Sequence, residues 1–563
     1  MFSRALLNHP VKSHFSAGKH SVLSRTFIKQ SCFLRRPSLC LSTSSRSSTI
    51  MSPPIHNQKI PSTKSFDNRI AFQDKPLREL FRSLVVYKLC SVQWLVNNVS
   101  GFIELAEKYH LTRPIYWIIA KTFFVQFCGG ETDKQCIDTM TRLKKHGIGT
   151  ILSLSIESDL DQGESLSTDA ESFFSKEADR VTQMYLECIQ TASKQSNSCV
   201  AIKVTGLTDP GTLKNLSLTY NSLDNAFNRS NAGRDGKLGK SDFFDLISGT
   251  SGGSDKTSHF NAFFDKLDSD KDGSIDRFDV FRTFALDSPE ILRPLTENEN
   301  LELSQHNIRN YNQLLTRLEQ LCKSARKHNV KLLIDAEQTY FQPAIDYISM
   351  RLSSRYNKLS DGGSPIIFNT YQMYLKDSMS RLQRDYELSR RNEFVFASKL
   401  VRGAYMISER TMAERLGYSN PVHDSIEDTH RSYDNAVEFL LDKLHESKSN
   451  GELSTMDSPV SFIVASHNQE SIIKTCEKME RYGISVNSGT VSFGQLYGMC
   501  DQITYTLASL GYPVYKYLAY GKIDEVMPFL IRRAQENSSV LDGRAPIESK
   551  MLWNEIINRL KFR

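Results

Sequence analysis

The sequence predicts an α/β protein closed as a (β/α)8 barrel, with helices ahead of the barrel and an all-α module inserted into it. Three observations predict this. From about residue 147, eight short runs rich in Val, Ile and aromatics recur: Thr150–Ile156, Cys199–Thr205, Val330–Asp335, Pro365–Tyr371, Val395–Val401, Val460–Ala465, Thr490–Phe493 and Pro513–Leu518. They lack the polar alternation of half-exposed strands, so each reads as a parallel strand covered on both faces. Amphipathic stretches follow them, among them Ser304–His328, Leu375–Arg391, Ser425–His445, Gln469–Tyr482 and Ile523–Glu536. Strand–helix alternation repeated eight times suggests a closed parallel barrel. An open doubly wound sheet is the structural alternative, but no G-x-G-x-x-G follows the first run and no phosphate loop is present. Finally, residues with chemical capability stand at or just after the strand ends: Glu157, Lys203, Asp335, Gln372, Arg402, Tyr405, His467 and Tyr517. In a barrel these positions converge on the catalytic face.

Taken in order, residues 1–50 hold eight Lys or Arg, twelve Ser and no acid, the composition of a mitochondrial presequence. Removing them takes the net charge from +6 to −2, so the folded part carries no positive excess and no nucleic-acid partner is expected. The ten cysteines form no C-x-x-C and no zinc spacing, which fits reduced thiols. Residues 51–145 read as a linker and helices, notably Leu77–Val96 and Ile103–Tyr109. The apolar stretch Pro114–Gly130 is broken by Lys121 and Gln126 and is too short to span a bilayer, so it reads as a buried or membrane-apposed helix. Residues 146–206 begin the barrel, 207–295 form the insert, and 296–563 complete the barrel and add C-terminal helices. Arg532 and Arg533 fall in a helix that ends near Asn537.

Within the insert, Asp268, Asp270, Asp272, Ser274, Asp276 and Asp279 occupy positions 1, 3, 5, 7, 9 and 12 of an EF-hand loop, with Gly273 at position 6. That pattern predicts Ca2+ binding, with Asp279 a shorter acid than the usual Glu. Upstream, Asn231–Asp242 has the position-6 Gly236 and a position-8 Leu238, but no side-chain ligand at Gly233 or Gly239. It reads as a structural partner hand. Because a βα connection lies on the catalytic face, the insert is expected beside the mouth of the barrel.

Nine blocks in order carry a resemblance: GGET (129–132), VAIKVTGL (200–207), LLIDAEQTYFQPA (332–344), IFNTYQMYLKD (367–377), KLVRGAYM (399–406), ASHN (465–468), FGQLYGMCDQI (493–503), YPVYKYLAYG (512–521) and IRRAQENSS (531–539). From about Phe123, leaving aside the insert, the chain resembles the proline dehydrogenase family. The resemblance implies a distorted barrel with FAD at the strand C-termini. It also implies oxidation of L-proline to pyrroline-5-carboxylate, in the mitochondrial matrix and peripheral to the inner membrane, with ubiquinone as acceptor. By motif position Arg532, Arg533 and Lys203 would grip the substrate carboxylate, while Tyr405 and Tyr517 would wall its ring. Asp335, Gln372, Lys399, Val401, Arg402, Gly403, His467, Leu496 and Glu536 match positions near the flavin, and Ser425 is a candidate for its adenosine end. Glu157 would pair with the arginines when substrate is absent. Three departures stand out: Lys399 replaces an Arg of bacterial relatives, Phe529 replaces the Tyr of Y-x-x-R-R, and the stretch His423–Asp428 does not carry the family's usual Thr cleanly. The alternatives are a hydroxyproline-oxidising member, which would carry a small residue in place of Tyr517, a Schiff-base aldolase using Lys203 or Lys399, and an inactive calcium-binding scaffold.

Overall fold

The computed structural model describes residues 61, 66, 68–110, 112–154, 168–230, 236–243, 261, 264–268, 271–276, 278–279, 304–361, 364–449, 458–538 and 544–561. The presequence (1–50), Glu157, Asp270 and most of the insert lie outside them.

Eight parallel strands form the ring: β1 Gly149–Leu154, β2 Ser198–Ile202, β3 Lys331–Ile334, β4 Ile367–Gln372, β5 Phe396–Val401, β6 Val460–Ala465, β7 Val491–Leu496 and β8 Val514–Tyr520. Each pairs with its neighbours in chain order, and β8 returns to β1 through the register Tyr515↔Gly149 to Tyr520↔Leu154. The barrel is therefore closed, as expected. All eight sequence runs become strands, Val460–Ala465 unchanged and the others with ends moved by at most three residues. A ninth strand, Cys128–Gly130, joins β8 at Ala519 and Tyr520, just past the point where β7 ends.

The pleat sorts side chains by parity. One set of alternate residues faces out beneath the helices and forms the large core: Leu152, Val200, Leu332, Ile367, Phe396 and Phe462 are buried there. The other set faces in, where Ile151, Cys199, Leu333, Phe368, Ala397, Ile463 and Tyr515 make a compact apolar plug. Helices cap as their sequences direct. Ser304 accepts from Asn307 N to start Gln305–His328, and Asn468 accepts from Ser471 N at 3.1 Å to start Gln469–Arg481. The eight described cysteines are all free and buried.

Two organisational expectations change. The long N-terminal helix is two, Leu77–Cys90 and Gln93–Asn97, because the chain turns at Ser91–Val92. Helix Pro210–Ser230, which the sequence assigned to the insert, packs Leu213 and Leu216 into the barrel core. Each buried Leu contributes about 1.5–3 kcal/mol, so this helix belongs to the barrel layer.

That helix also relocates the insert. It carries the chain from the mouth to the base before the module begins. Phe278 then packs on Met350, Leu388 and Phe394, and Phe394 stands just before the first residue of β5. Arg391, at the C-terminal end of helix Ser378–Arg391, pairs with Asp276 and covers the Phe278 ring at 4.2 Å. The described part of the module therefore docks at the base, away from the mouth where the sequence placed it.

Candidate active site

Each inward row continues past the apolar plug into polar residues at the C-terminal ends of the strands. Ile151 is followed two residues on by Ser153, Ala201 by Lys203, Leu333 by Asp335, Thr370 by Gln372, Ala397 by Lys399, Ala465 by His467 and Tyr515 by Tyr517. These residues line one cavity of about 530 Å3, within the usual range for a small-molecule site. Val401, Arg402, Gly403, Tyr405, Ser425 and Leu496 also line it, as do Arg532, Arg533 and Glu536 from helix Met527–Ser538. All the described residues assigned to substrate or cofactor by sequence thus meet in a single space.

At the floor, Lys399 forms an ion pair with Asp335 Oδ1, both side chains being almost fully buried. Tyr517 Oη donates to Asp335 Oδ2 at 2.9 Å and lies 2.8 Å from Ser153 Oγ. Burial and the Asp335 charge push the Tyr517 phenol far above its ordinary range, so it stays a donor. The Lys399 ammonium sits 5.5 Å from the Tyr517 ring centre. With both carboxylate oxygens engaged, Asp335 holds Lys399 and Tyr517 in place.

The next group is set by backbone. Gln372 Nε2 donates to Glu337 O at 2.8 Å, and its Oε1 accepts from Ala404 N at 3.3 Å, tying β4 to the turn after β5. Gly403 in that turn has φ +145°, and an added Cβ would lie 2.0 Å from the Tyr374 ring, so only glycine fits. Arg402 is locked flat: Nη1 reaches Ser466 Oγ at 2.5 Å, Nη2 reaches Ser471 Oγ at 2.9 Å, Nε donates to His430 Nδ1 at 3.1 Å, and Tyr433 stacks at 4.3 Å. His467 Nε2 accepts from Leu496 N at 3.0 Å, which places any ring proton of the neutral imidazole on Nδ1. Beneath Lys203, burial raises the Glu337 carboxyl, against two hydrogen bonds from Thr205 and the Lys203 charge.

Beside the mouth, Arg533 pairs with Glu536 and lies 5.0 Å over the Phe529 ring. Ser425 accepts from Asp428 N at 3.0 Å, capping helix Ile426–Ser449 while also facing the cavity. Arg410 and His423 also stand on the cavity wall, but Arg410 Nε and His423 Nε2 are closed off from it and have no hydrogen-bond partner among the described residues. Sequence reasoning missed Ser153, Glu337, Arg410, His423 and Ser466. The inward parity of Ser153 was a usable signal, whereas Glu337, His423 and Ser466 lie in connections that periodicity does not reach and Arg410 lies on helix Met406–Leu416.

The EF-hand loops pair in a short antiparallel ladder with Leu238 opposite Ile275, and Gly273 takes φ +80°. Their carboxylates are otherwise engaged. Asp268 accepts from Asp272 N and Gly273 N, Asp272 pairs with Lys237, and Asp276 pairs with Arg391. Among the described residues no three acidic, His or Cys side chains are gathered for a metal ion.

A closed parallel barrel with a deep cavity of charged and hydroxyl groups at its strand C-termini defines a (β/α)8-barrel enzyme site. The sequence matches the family described as proline dehydrogenase over residues 136–543, and the chain belongs to that family. It is 30% identical over 564 residues to "Proline dehydrogenase 1, mitochondrial" of Caenorhabditis elegans, covering 88% of each chain. To "Hydroxyproline dehydrogenase" of Xenopus laevis it is 32% identical over 497 residues, covering 88% of this chain and 90% of the relative. Among solved structures, proline utilization A from Bdellovibrio bacteriovorus shares the fold with a TM-score of 0.51 at 16% identity. That match covers 85% of this chain and 38% of the bacterial one.

Proposed function

We propose that this chain oxidises L-proline to pyrroline-5-carboxylate with bound FAD, as the first step of proline catabolism in mitochondria. The observation that carries the reading is the meeting of Lys203, Arg532 and Arg533 with the Asp335–Lys399–Tyr517 group in one cavity. Guanidinium and ammonium groups grip a substrate carboxylate, and the Tyr517 and Tyr405 rings hold the pyrrolidine in one orientation. Net loss of a hydride from ring C5 and a proton from the amine gives the product. Bound FAD would supply the two-electron acceptor, with ubiquinone at the inner membrane as the onward acceptor. Arg402, Gly403 and Gln372 would hold its inner end, and Arg410 and His423, on the same wall, would border its outer end.

The Xenopus relative makes hydroxyproline the competing substrate. The buried Tyr517 ring, fixed by Asp335 and Ser153, leaves little room for a 4-hydroxyl and favours proline. For Ca2+, the insert supplies a paired EF-like frame, but Lys237 and Arg391 must release Asp272 and Asp276 before those acids can serve an ion. Calcium would then be a structural ligand of the insert, and calorimetry of wild type against Asp268→Ala reads it directly. Proline-dependent bleaching of the flavin absorption in purified protein tests the main reading. A flavin-bearing protein that proline does not reduce would overturn it.

A further inference from the structure

All three tryptophans of the chain are exposed: Trp94 at 66%, Trp117 at 64% and Trp553 at 51%. All three lie in the layer of N- and C-terminal helices, where Leu77–Cys90 packs on Arg544–Lys561. Helix Thr112–Ile119 contains Ile115, Tyr116, Trp117, Ile118 and Ile119 yet buries none of its residues. It packs on Val99–Lys108, which exposes Phe102 and Leu105, and the Phe102 ring meets Trp94 edge-on at 5.5 Å. Trp94, Phe102, Leu105, Trp117 and Ile118 thus stand exposed on three successive helices that pack on one another, more than isolated surface residues would supply. Exposed Lys88, Lys108, Arg113 and Lys121 flank them, and residues 77–125 carry six Lys or Arg against three Glu.

We propose that this face, built from Gln93–Asn97, Val99–Lys108 and Thr112–Ile119, docks on the surface of a phospholipid bilayer containing anionic lipid. Exposed tryptophan bordered by lysine and arginine is the chemistry of a lipid interface. Lysine is depleted where proteins bury surface against each other, which argues against a second copy as the occupant. No helix among the described residues is long and apolar enough to cross a membrane, so the hairpin lies in the interface. The face is also continuous with the site. Val96, Phe124 and Phe127 share one apolar cluster with Met499 and Phe529, and both of the latter line the cavity. A lipid-soluble electron acceptor could therefore approach the cavity through apolar surface, and for that acceptor the proposal rests on the proline-oxidising reading above.

The test uses the flavin-loaded full chain and its Trp117→Glu/Ile118→Glu variant, at two exposed positions that do not line the cavity. Both are floated with phosphatidylcholine vesicles, with and without cardiolipin, while tryptophan emission is followed. Wild type should float with the cardiolipin vesicles, with a blue shift and with binding that weakens as salt rises. The variant should bind about tenfold less or worse, keep wild-type proline activity with a water-soluble dye, and lose activity with a long-chain quinone in vesicles. The proposal is overturned if the variant floats like wild type, or if wild type ignores both vesicles. It is equally overturned if wild type self-associates in solution and the variant does not. Absence of proline–dye activity in wild type would sink the proline reading alone and leave the vesicle result standing.

Discussion

Replacing Tyr517 by Phe and by Ser separates two jobs that one side chain performs in the mouth of the barrel. The hydroxyl is a buried donor, 2.9 Å from Asp335 Oδ2 and 2.8 Å from Ser153 Oγ. A hydrogen bond to a charged group contributes about 1.5–3 kcal/mol, so Tyr517→Phe should lose roughly that much folding stability. The bond exists before substrate arrives, so its loss appears mainly in stability and weakly in selectivity. The ring stays, and a 4-hydroxyl is still refused. Tyr517→Ser removes the ring and opens the wall. One group in a shaped pocket is worth about 1–3 kcal/mol, so the hydroxyproline-to-proline ratio of kcat/KM should rise roughly 10- to 200-fold, as absolute activity on proline falls. Denaturant melts of the holoenzyme and steady-state rates on L-proline and trans-4-hydroxy-L-proline, with one dye acceptor, measure both effects. The reasoning fails if Ser leaves the ratio where wild type has it, or if Phe moves the ratio as far as Ser does.

Further outcomes follow from neighbouring groups. Arg532→Ala and Arg533→Ala should each weaken productive proline binding by about 2–5 kcal/mol, seen as a collapse of kcat/KM; near-normal kinetics in both would refute the carboxylate grip. Gly403→Ala places a Cβ 2.0 Å from the Tyr374 ring at φ +145°, so purified protein should retain less FAD; full flavin occupancy would show that the turn adapts. Asp501 joins Lys75 at 2.5 Å and Lys516 at 2.8 Å beneath the site. Burial alone would raise its carboxyl, but the two lysines outweigh burial and hold it well below the usual range. Its contribution is therefore complete above the unfolded value near pH 4 and is lost as pH falls toward the lower folded value. Asp501→Asn should cost about 3–5 kcal/mol at neutral pH and flatten that acid limb; unchanged urea midpoints would contradict the pairing.

What was legible in the sequence is what a short period carries. Strands β1 to β8 announce themselves because Val, Ile, Leu and aromatics fill both faces, and the pleat parity then predicts which residue at each end turns inward. Lys203, Asp335, Lys399, His467 and Tyr517 obey that parity, so their meeting follows from local pattern plus closure. The strand Cys128–Gly130 did not show itself, since three residues with two glycines have no β signature and gain their place only from the exposed edge of β8. The break at Ser91–Val92 was equally silent, because helical periodicity survives a one-turn interruption. His423 reaches the cavity from a connection tied to Tyr374, whose carbonyl accepts from His423 N at 2.8 Å. Tertiary contact decides such positions, and composition does not encode it.

The position of the insert limits what it can do. Its chain connection is of the βα type, which belongs to the mouth, yet helix Pro210–Ser230 intervenes. At about 1.5 Å per residue those 21 residues run roughly 30 Å. A strand of five to seven residues rises only about 17–23 Å, so the helix reaches the base before the module begins. There Asp276 and Phe278 engage Arg391 and the Met350–Leu388–Phe394 cluster, while Lys399 and Arg402 stand at the far end of β5. The described contacts of the loop lead to the start of β5, which is buried from Phe396 through Leu400 and paired to β4 and β6. Close-packed strands change by discrete repacking and do not yield by degrees. Binding confined to the folded state stabilises it, whereas regulation needs unequal affinity for two conformations. With its described contacts at the base, the module is expected to bear on the stability of the barrel more than on access to its mouth.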